Sequence, residues 1–132
     1  MRIKVISIFE RNNIIVVECE SSLGIFKGVW KSKTIRPCLN TSYSVEFTLA
    51  DISYDEVEVS NAECVSVYSV DESVYFKGIC DDYDGEIYYI RFADDWLQML
   101  YIEEEKQHFN IADTISFCLK TEQVEIYAYD PF

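Results

Sequence analysis

The stretch Ile25-Phe26-Lys27-Gly28-Val29-Trp30 returns fifty positions later as Tyr75-Phe76-Lys77-Gly78-Ile79-Cys80, so the tripeptide Phe-Lys-Gly occurs twice in the chain. A tripeptide match alone is compatible with chance, but a strand pattern repeated at a fixed offset indicates a duplicated β-unit. The pattern before each copy also matches, with Ile15 and Val17 where the second copy has Val65 and Val67. A glycine inside a strand marks a bulge or a close backbone approach. Each copy therefore predicts a bend, as a curled or barrel-like sheet requires.

Later parts of the chain continue the likeness between the two halves. The alternating positions 45, 47 and 49 are matched by 115, 117 and 119, and Val57-Glu58-Val59 is matched by Val124-Glu125-Ile126. The chain of 132 residues is long enough for one compact domain. We therefore expect a single domain, residues 1–132, built from two related halves at about 1–60 and 61–132.

The composition favours strands over helices. Ten Tyr and eight Phe accompany many Val and Ile, and hydrophobic residues make up 49% of the chain. Runs of apolar and polar residues alternate along most of the sequence, which is typical of half-buried strands. Four Gly and two Pro leave no room for a flexible linker. This pattern predicts about ten antiparallel strands.

One segment, residues 95–107, has the spacing of a helix. Asp95 and Gln98 resemble a capping box, and Trp96, Met99 and Leu100 then follow at helical intervals. With this helix the second half reads as three strands, a helix and two strands. That order resembles the oligonucleotide/oligosaccharide-binding (OB) fold over residues 63–129, although no sequence motif defines that fold. The predicted fold class is mostly β with one helix, as tandem OB-like or small-barrel halves; the alternative is a single larger sheet with the helix packed on it.

Charge is distributed unevenly along the chain. The formal net charge is -13, with +3 in residues 1–50 and -16 in residues 51–132. The acidic part would repel nucleic acid and anionic membranes and attract a basic partner. An acidic surface also serves solubility alone.

Several features bear on the compartment. Five Cys, an odd number, form no C-x-x-C pair, and most lie in apolar strand patterns, which favours free thiols and a reducing compartment. The apolar run in residues 1–11 is too short for a signal peptide, and no stretch approaches the ~20 apolar residues of a membrane span. The expectation is a cytoplasmic protein without membrane contact.

Most kinds of catalytic or metal site are disfavoured by the sequence. The one histidine, His108, has no nucleophile nearby in the sequence, and the cysteines are too widely spaced for a zinc site. The stretch 82–85 could be aligned with an EF-hand loop, but its first and last ligand positions would then be Cys80 and Arg91, which do not coordinate calcium. We expect a non-enzymatic protein with no metal or cofactor.

Two candidate binding surfaces remain, and the first is acidic. It consists of six carboxylates in the C-terminal half, near tyrosines that we expect to be exposed, and tyrosine is favoured at interfaces. The carboxylates are Asp81, Asp82, Asp84, Glu103, Glu104 and Glu105, and the tyrosines are Tyr83, Tyr88, Tyr101, Tyr127 and Tyr129. Small acidic proteins that neutralise basic toxins or nucleases, such as bacterial immunity proteins, are similar in size and charge, but this chain carries no motif of theirs. The first hypothesis is a binding protein for a basic protein, as an inhibitor or immunity protein.

The second surface interleaves aromatic and basic residues, which can stack bases and hold phosphates. Its residues are Phe26, Lys27, Trp30, Lys31 and Arg36. The alternative hypothesis is therefore an OB-like module for nucleic acid or a small ligand, although the overall charge makes nucleic acid an unfavourable partner. The competing interpretation places Phe26 and Trp30 in the core. The sequence leaves the partner and the oligomeric state open.

Overall fold

A computed structural model describes residues 1–61, 63–103 and 109–129 of the chain. These residues form thirteen strands and two 3-10 turns, Tyr54–Glu56 and Thr121–Gln123. The strands are β1 (Arg2–Arg11), β2 (Ile14–Ser21), β3 (Gly24–Trp30), β4 (Thr41–Leu49), β5 (Ile52–Ser53), β6 (Glu58–Ser60), β7 (Ser66–Val70), β8 (Ser73–Tyr83), β9 (Tyr88–Ala93), β10 (Trp96–Leu100), β11 (Ile102–Glu103), β12 (Thr114–Lys120) and β13 (Val124–Tyr129). The predicted mostly-β fold is confirmed.

Five strands close a small, OB-like barrel in the order β1-β2-β3-β13-β4. All neighbouring pairs run antiparallel except β3 with β13, which is parallel. The OB-like barrel thus uses residues 2–49 together with 124–129, and not the predicted range 63–129. Because β1 and β4 pair, the barrel has no open edge between its first strand and its fourth.

The remaining long strands form a six-stranded sheet, with the order β10-β9-β8-β12-β6 and with β7 paired to β8. Strand β8 is the centre of this sheet, because β12 flanks its first seven residues on one side while β7 and β9 pair with its successive halves. Strands β5 and β11 form a separate parallel pair. One face of the sheet packs on the core, and the other faces solvent.

Each half of the chain contributes one strand to the β-structure formed mainly by the other half. The C-terminal strand β13 completes the barrel, and β6, from the first half, pairs with β12. The predicted match of Val57–Val59 with Val124–Ile126 therefore involves the two exchanged strands, since Glu58 and Val59 lie in β6 and Val124–Ile126 lie in β13. The single-domain prediction stays a prediction, and this exchange supports it.

The helix predicted over residues 95–107 is wrong for the part that the structure describes. Residues Trp96–Leu100 form β10 and Ile102–Glu103 form β11, while residues 104–107 lie outside the described residues. Along β10, positions 96, 98 and 100 are buried and positions 97 and 99 are exposed, which is the period of a strand. Pairing with β9 overrides the weak helical spacing.

The repeated Phe-Lys-Gly stretches occupy β3 and β8. Phe26 lies opposite Cys19 on β2, and Phe76 lies opposite Val67 on β7. In the strand pairing, Val67 therefore takes the place of Cys19. The sequence repeat had aligned Val67 with Val17, so the observed correspondence differs from the predicted one by two residues. The duplication itself remains a prediction.

The barrel and the six-stranded sheet share one hydrophobic core. Trp96 joins them, because its ring stacks on Phe47 of the barrel at 4.2 Å and lies 4.9 Å from Phe92 of the sheet. Phe26 and Phe76 approach the same ring at 6.3 and 6.5 Å. Aromatic pairs at these distances add to the burial of their surfaces.

Candidate partner-binding face

The three predicted aspartates lie at one corner of the six-stranded sheet, where β8 leaves its regular register with β9. Cys80 lies opposite the buried Ile90, but the next pair is Asp82 with Tyr89, so Asp81 is an extra residue in a β-bulge. Ile90 and Cys80 face the core. The bulge thus places two successive carboxylates, Asp81 and Asp82, on the exposed side.

Asp81 forms a two-pronged ion pair with Arg91 on β9. Arg91 Nη2 donates to Asp81 Oδ2 at 2.9 Å, and Arg91 Nε donates to Asp81 Oδ1 at 3.3 Å. These hydrogen bonds lower the pKa of the Asp81 carboxyl below its ordinary value. An exposed pair of this kind adds little stability, but it neutralises the basic residue at this corner.

Asp84 organises the turn that joins β8 and β9. Its Oδ1 accepts hydrogen bonds from the backbone N–H groups of Glu86 and Ile87, and its Oδ2 accepts from the Tyr89 hydroxyl at 2.9 Å. The backbone donors, Ile87 first, lower the pKa of the Asp84 carboxyl, whereas the hydrogen bond to Asp84 raises the pKa of the Tyr89 hydroxyl. Asp84 is therefore held in place and remains charged at neutral pH.

Strand β10 brings exposed apolar side chains beside these carboxylates. Leu97 lies opposite Arg91 and is 46% exposed, and Met99 lies opposite Tyr89 and is 64% exposed. The exposed Asp94 and Asp95 directly precede β10. We name this set the acidic corner; it comprises Asp81, Asp82, Asp84, Tyr89, Arg91, Asp94, Asp95, Leu97 and Met99.

Buried polar contacts fix β10 against the barrel. Trp96 Nε1 donates to Gln98 Oε1 at 2.9 Å, and Gln98 Nε2 donates to the backbone carbonyl of Phe47 at 3.3 Å. Among the described residues, every buried side-chain nitrogen or oxygen has a hydrogen-bond partner. The inward polar groups of β10 thus have hydrogen-bond partners, and its outward side chains, Leu97 and Met99, are exposed.

The second group of predicted carboxylates is described only in part. Glu103 is exposed at the end of β11, opposite Ser53 of β5. Glu104 and Glu105 lie outside the described residues. The structure therefore brings Asp81, Asp82 and Asp84 together. That the three glutamates belong to the same binding surface stays a prediction.

The aromatic residues of the alternative surface are buried, which contradicts their predicted role in ligand stacking. Phe26 is 0% exposed and Trp30 is 5% exposed. Trp30 Nε1 donates to the backbone carbonyl of Ile35, and its ring meets Tyr43 edge-on at 5.1 Å. Both rings point inward because positions 26, 28 and 30 share the inner side of β3.

The basic residues of that surface contact other parts of the barrel. Lys27 Nζ lies 5.8 Å from the centre of the Phe9 ring, and Lys31 pairs with Glu125 at 3.7 Å. The exposed Arg36 lies 4.0 Å from Glu10. These groups form no aromatic platform with Phe26 and Trp30.

The tyrosines predicted to be exposed divide into two groups. Tyr101, Tyr127 and Tyr129 are exposed, as predicted, but Tyr88 is fully buried and its hydroxyl accepts a hydrogen bond from the Phe109 backbone. Tyr83 is half-buried and stacks on Tyr88 at 4.3 Å.

A groove on the outer face of the same sheet was missed by sequence reasoning. Tyr68 on β7 stacks on Tyr75 of β8, with ring centres 5.4 Å apart and planes inclined by 18°. These rings help line a cavity of about 320 Å³ whose other side carries carboxylates. We name it the tyrosine groove; its polar residues include Glu56, Glu58, Lys77 and Ser116. The alternation of the sequence could have indicated that Tyr75 faces outward, since it lies between Val74 and Phe76, which both point inward.

Comparisons with known proteins add no family: no protein-family model, curated protein or solved structure matches the chain. Within the described residues, no helix has the length and hydropathy needed to cross a membrane. In the same part of the chain, His, Cys, Asp and Glu side chains do not gather in threes as metal ligands would.

Proposed function

We propose that this chain is a non-enzymatic binding protein that engages a basic protein partner through the acidic corner. Its role is that of an inhibitor or immunity protein that neutralises a toxin or nuclease. The observation that carries the proposal is an excess of carboxylates beside exposed apolar side chains on one sheet. Two of these carboxylates are paired, Asp81 with Arg91 and Asp95 with the N-terminal ammonium of Met1 at 3.5 Å, and Asp82, Asp84 and Asp94 take part in no ion pair among the described residues. Residues 81–103 hold seven acidic residues and one basic residue, Arg91, which Asp81 already engages.

The two kinds of side chain have different tasks in such a complex. Clustered charge of one sign steers an oppositely charged protein and raises its association rate. Leu97 and Met99 provide apolar surface that a partner can desolvate, which supplies affinity that charge alone does not. Because Asp81, Asp82, Leu97 and Met99 project from paired strands, little backbone entropy is lost there when the partner binds.

The cysteines support a cytoplasmic site of action within this proposal. All five are free thiols in the structure. Two of them, Cys38 and Cys64, are exposed, and exposed thiols persist in a reducing compartment.

The proposal is tested by retaining the chain on a column, passing lysate of its source organism over it and eluting with salt. We expect a basic protein to elute at moderate salt. Its affinity, measured by calorimetry, should fall at least tenfold for Asp82→Lys, because a like charge then meets the partner. The control is Glu20→Lys, which makes the same charge change at an exposed position of β2 in the barrel.

Two results would overturn the proposal. One is a specific partner whose affinity is equally insensitive to both charge reversals. The other is retention of acidic or neutral proteins only, which would leave the acidic surface as a solubility feature.

A further inference from the structure

The tyrosine groove lies on the same sheet face as the acidic corner, and β8 connects the two. Tyr75 and Lys77 precede Asp81 on this strand, and all three side chains point away from the core. A partner that covers the acidic corner can therefore extend along β8 into the groove.

The groove combines stacked aromatic rings with carboxylates. Tyr68 and Tyr75 form one wall, and Glu56 and Glu58 are exposed on the other side, from the 3-10 turn and β6. Neither glutamate takes part in an ion pair within the described part of the chain. Both walls favour a cation, since rings attract it by their faces and carboxylates attract it by charge.

Lys77 lies on the floor between these walls. In the strand register it is opposite Ser66 and Ser116, and Ser116 is in turn opposite Glu58. With two carboxylates against one ammonium the groove remains net negative, which disfavours a phosphate or another anion. By this charge balance, one negative charge is in excess and is available to an incoming cation.

We propose that the tyrosine groove receives an arginine side chain of the basic partner as an anchor residue. A guanidinium suits it better than an ammonium, because it is planar, stacks on aromatic rings and binds carboxylates with two parallel hydrogen bonds. Arginine and tyrosine are also the residue types that dominate binding energy at protein interfaces. This inference rests on the proposed function, since it names the partner's contacting group.

The experiment titrates the intact protein with short capped peptides and follows the amide NMR signals. One peptide has a central arginine, a matched one has citrulline, which keeps the shape but removes the charge, and adenosine monophosphate serves as the anionic probe. We expect saturable shifts at residues 66–68, 75–77 and 116–118 with arginine only. Glu58→Gln and Tyr68→Leu should each weaken arginine binding at least threefold. Their controls, Glu20→Gln and Tyr127→Leu, change exposed residues of the barrel and should leave binding unchanged.

The inference is overturned if citrulline binds as well as arginine, if adenosine monophosphate binds in place of the peptide, or if the shifts lie elsewhere. The proposed function is judged separately by Asp82→Lys with the whole partner. If that variant loses the partner while Glu58→Gln and Tyr68→Leu retain it fully, the acidic corner stands and the arginine anchor does not.

Discussion

Gly78 has no space for a side chain, because a Cβ atom there would lie 2.7 Å from Ile90 Cγ2 and 2.7 Å from a carbon of the Phe92 ring. Gly28 is similarly confined by Ile126 of β13, at 2.7 Å. The glycine of each Phe-Lys-Gly stretch is thus needed for close packing, and the sequence did indicate a close approach.

We predict that Gly78→Ala destabilises the protein by about 1–3 kcal/mol, because the core must shift to admit the methyl group. Urea unfolding monitored by tryptophan fluorescence measures the change. Ser116→Ala, on the outward side of the neighbouring strand β12, serves as the control and should change the free energy of unfolding by less than about 0.5 kcal/mol. Equal stability of the wild-type and Gly78→Ala proteins would contradict the packing described here.

The five thiols should differ in reactivity according to their burial. Burial raises the pKa of Cys19 far above its ordinary value, and burial together with nearby Asp113 raises the pKa of Cys80 to about 11. Since the thiolate is the reactive form, we predict that Cys38 and Cys64 react rapidly with a disulfide reagent at mildly alkaline pH, whereas Cys19 and Cys80 react only after unfolding. Peptide mapping by mass spectrometry identifies the modified residues. Modification of Cys80 in the native protein at the rate of Cys38 would show that the prediction is wrong.

At the scale of elements, the sequence predicted strands well because their alternation is strong, and it failed at β10. There a buried Gln98 stands between exposed Leu97 and Met99, so polarity along the strand is reversed and the period of two is hidden. Gln98 is tolerated inside because Trp96 and the Phe47 carbonyl are its partners, and only the tertiary fold supplies them. The tyrosine groove was likewise not predictable, because the contact of Tyr68 with Tyr75 depends on how β7 is aligned with β8. The sequence repeat had suggested an alignment that differs from the observed one by two residues.

The β8–β9 turn should make stability depend on acid pH through Asp84. The carboxylate accepts backbone hydrogen bonds that lower its pKa in the folded state, so its contribution is present above the ordinary carboxyl pKa and is lost as the pH falls through the lowered value. We predict that Asp84→Ala lowers the melting temperature at pH 7, and that the difference from wild type shrinks below about pH 4. Calorimetry of both proteins at several pH values measures this difference in melting temperature.

Asp94→Ala, which removes a carboxylate from the turn between β9 and β10, is the matched control for Asp84→Ala. Asp94 is exposed, and its hydrogen bond to Arg91 uses the backbone carbonyl and not the carboxylate. Its replacement should leave the melting temperature at pH 7 nearly unchanged. A difference for Asp84→Ala that persisted at the lowest pH would place the effect in the backbone conformation of the turn and not in the carboxylate.

For the whole molecule, the repeated sequence suggested two halves, but the pairing of β13 with β4 and of β6 with β12 links them. Such long-range pairing could not be predicted, because alternation specifies which face of a strand is buried and not which neighbour it pairs with. The acidic corner was predictable only as a charge cluster along the chain. Its apolar residues, Leu97 and Met99, are on β10, a segment for which the sequence predicted a helix.

The strand exchange predicts that neither half folds alone. A fragment of residues 1–61 lacks β13 and leaves the barrel open between β3 and β4, and a fragment of residues 62–132 lacks β6 and separates Trp96 from Phe26 and Phe47. Both fragments should give poorly dispersed NMR spectra, whereas an equimolar mixture should recover the dispersion of the intact protein. The intact chain should unfold in a single calorimetric transition, because the shared core couples the two parts. A folded fragment 1–61, or two separate transitions of the whole chain, would instead establish two independent domains, since each part would then hold its own core without the strand it receives from the other.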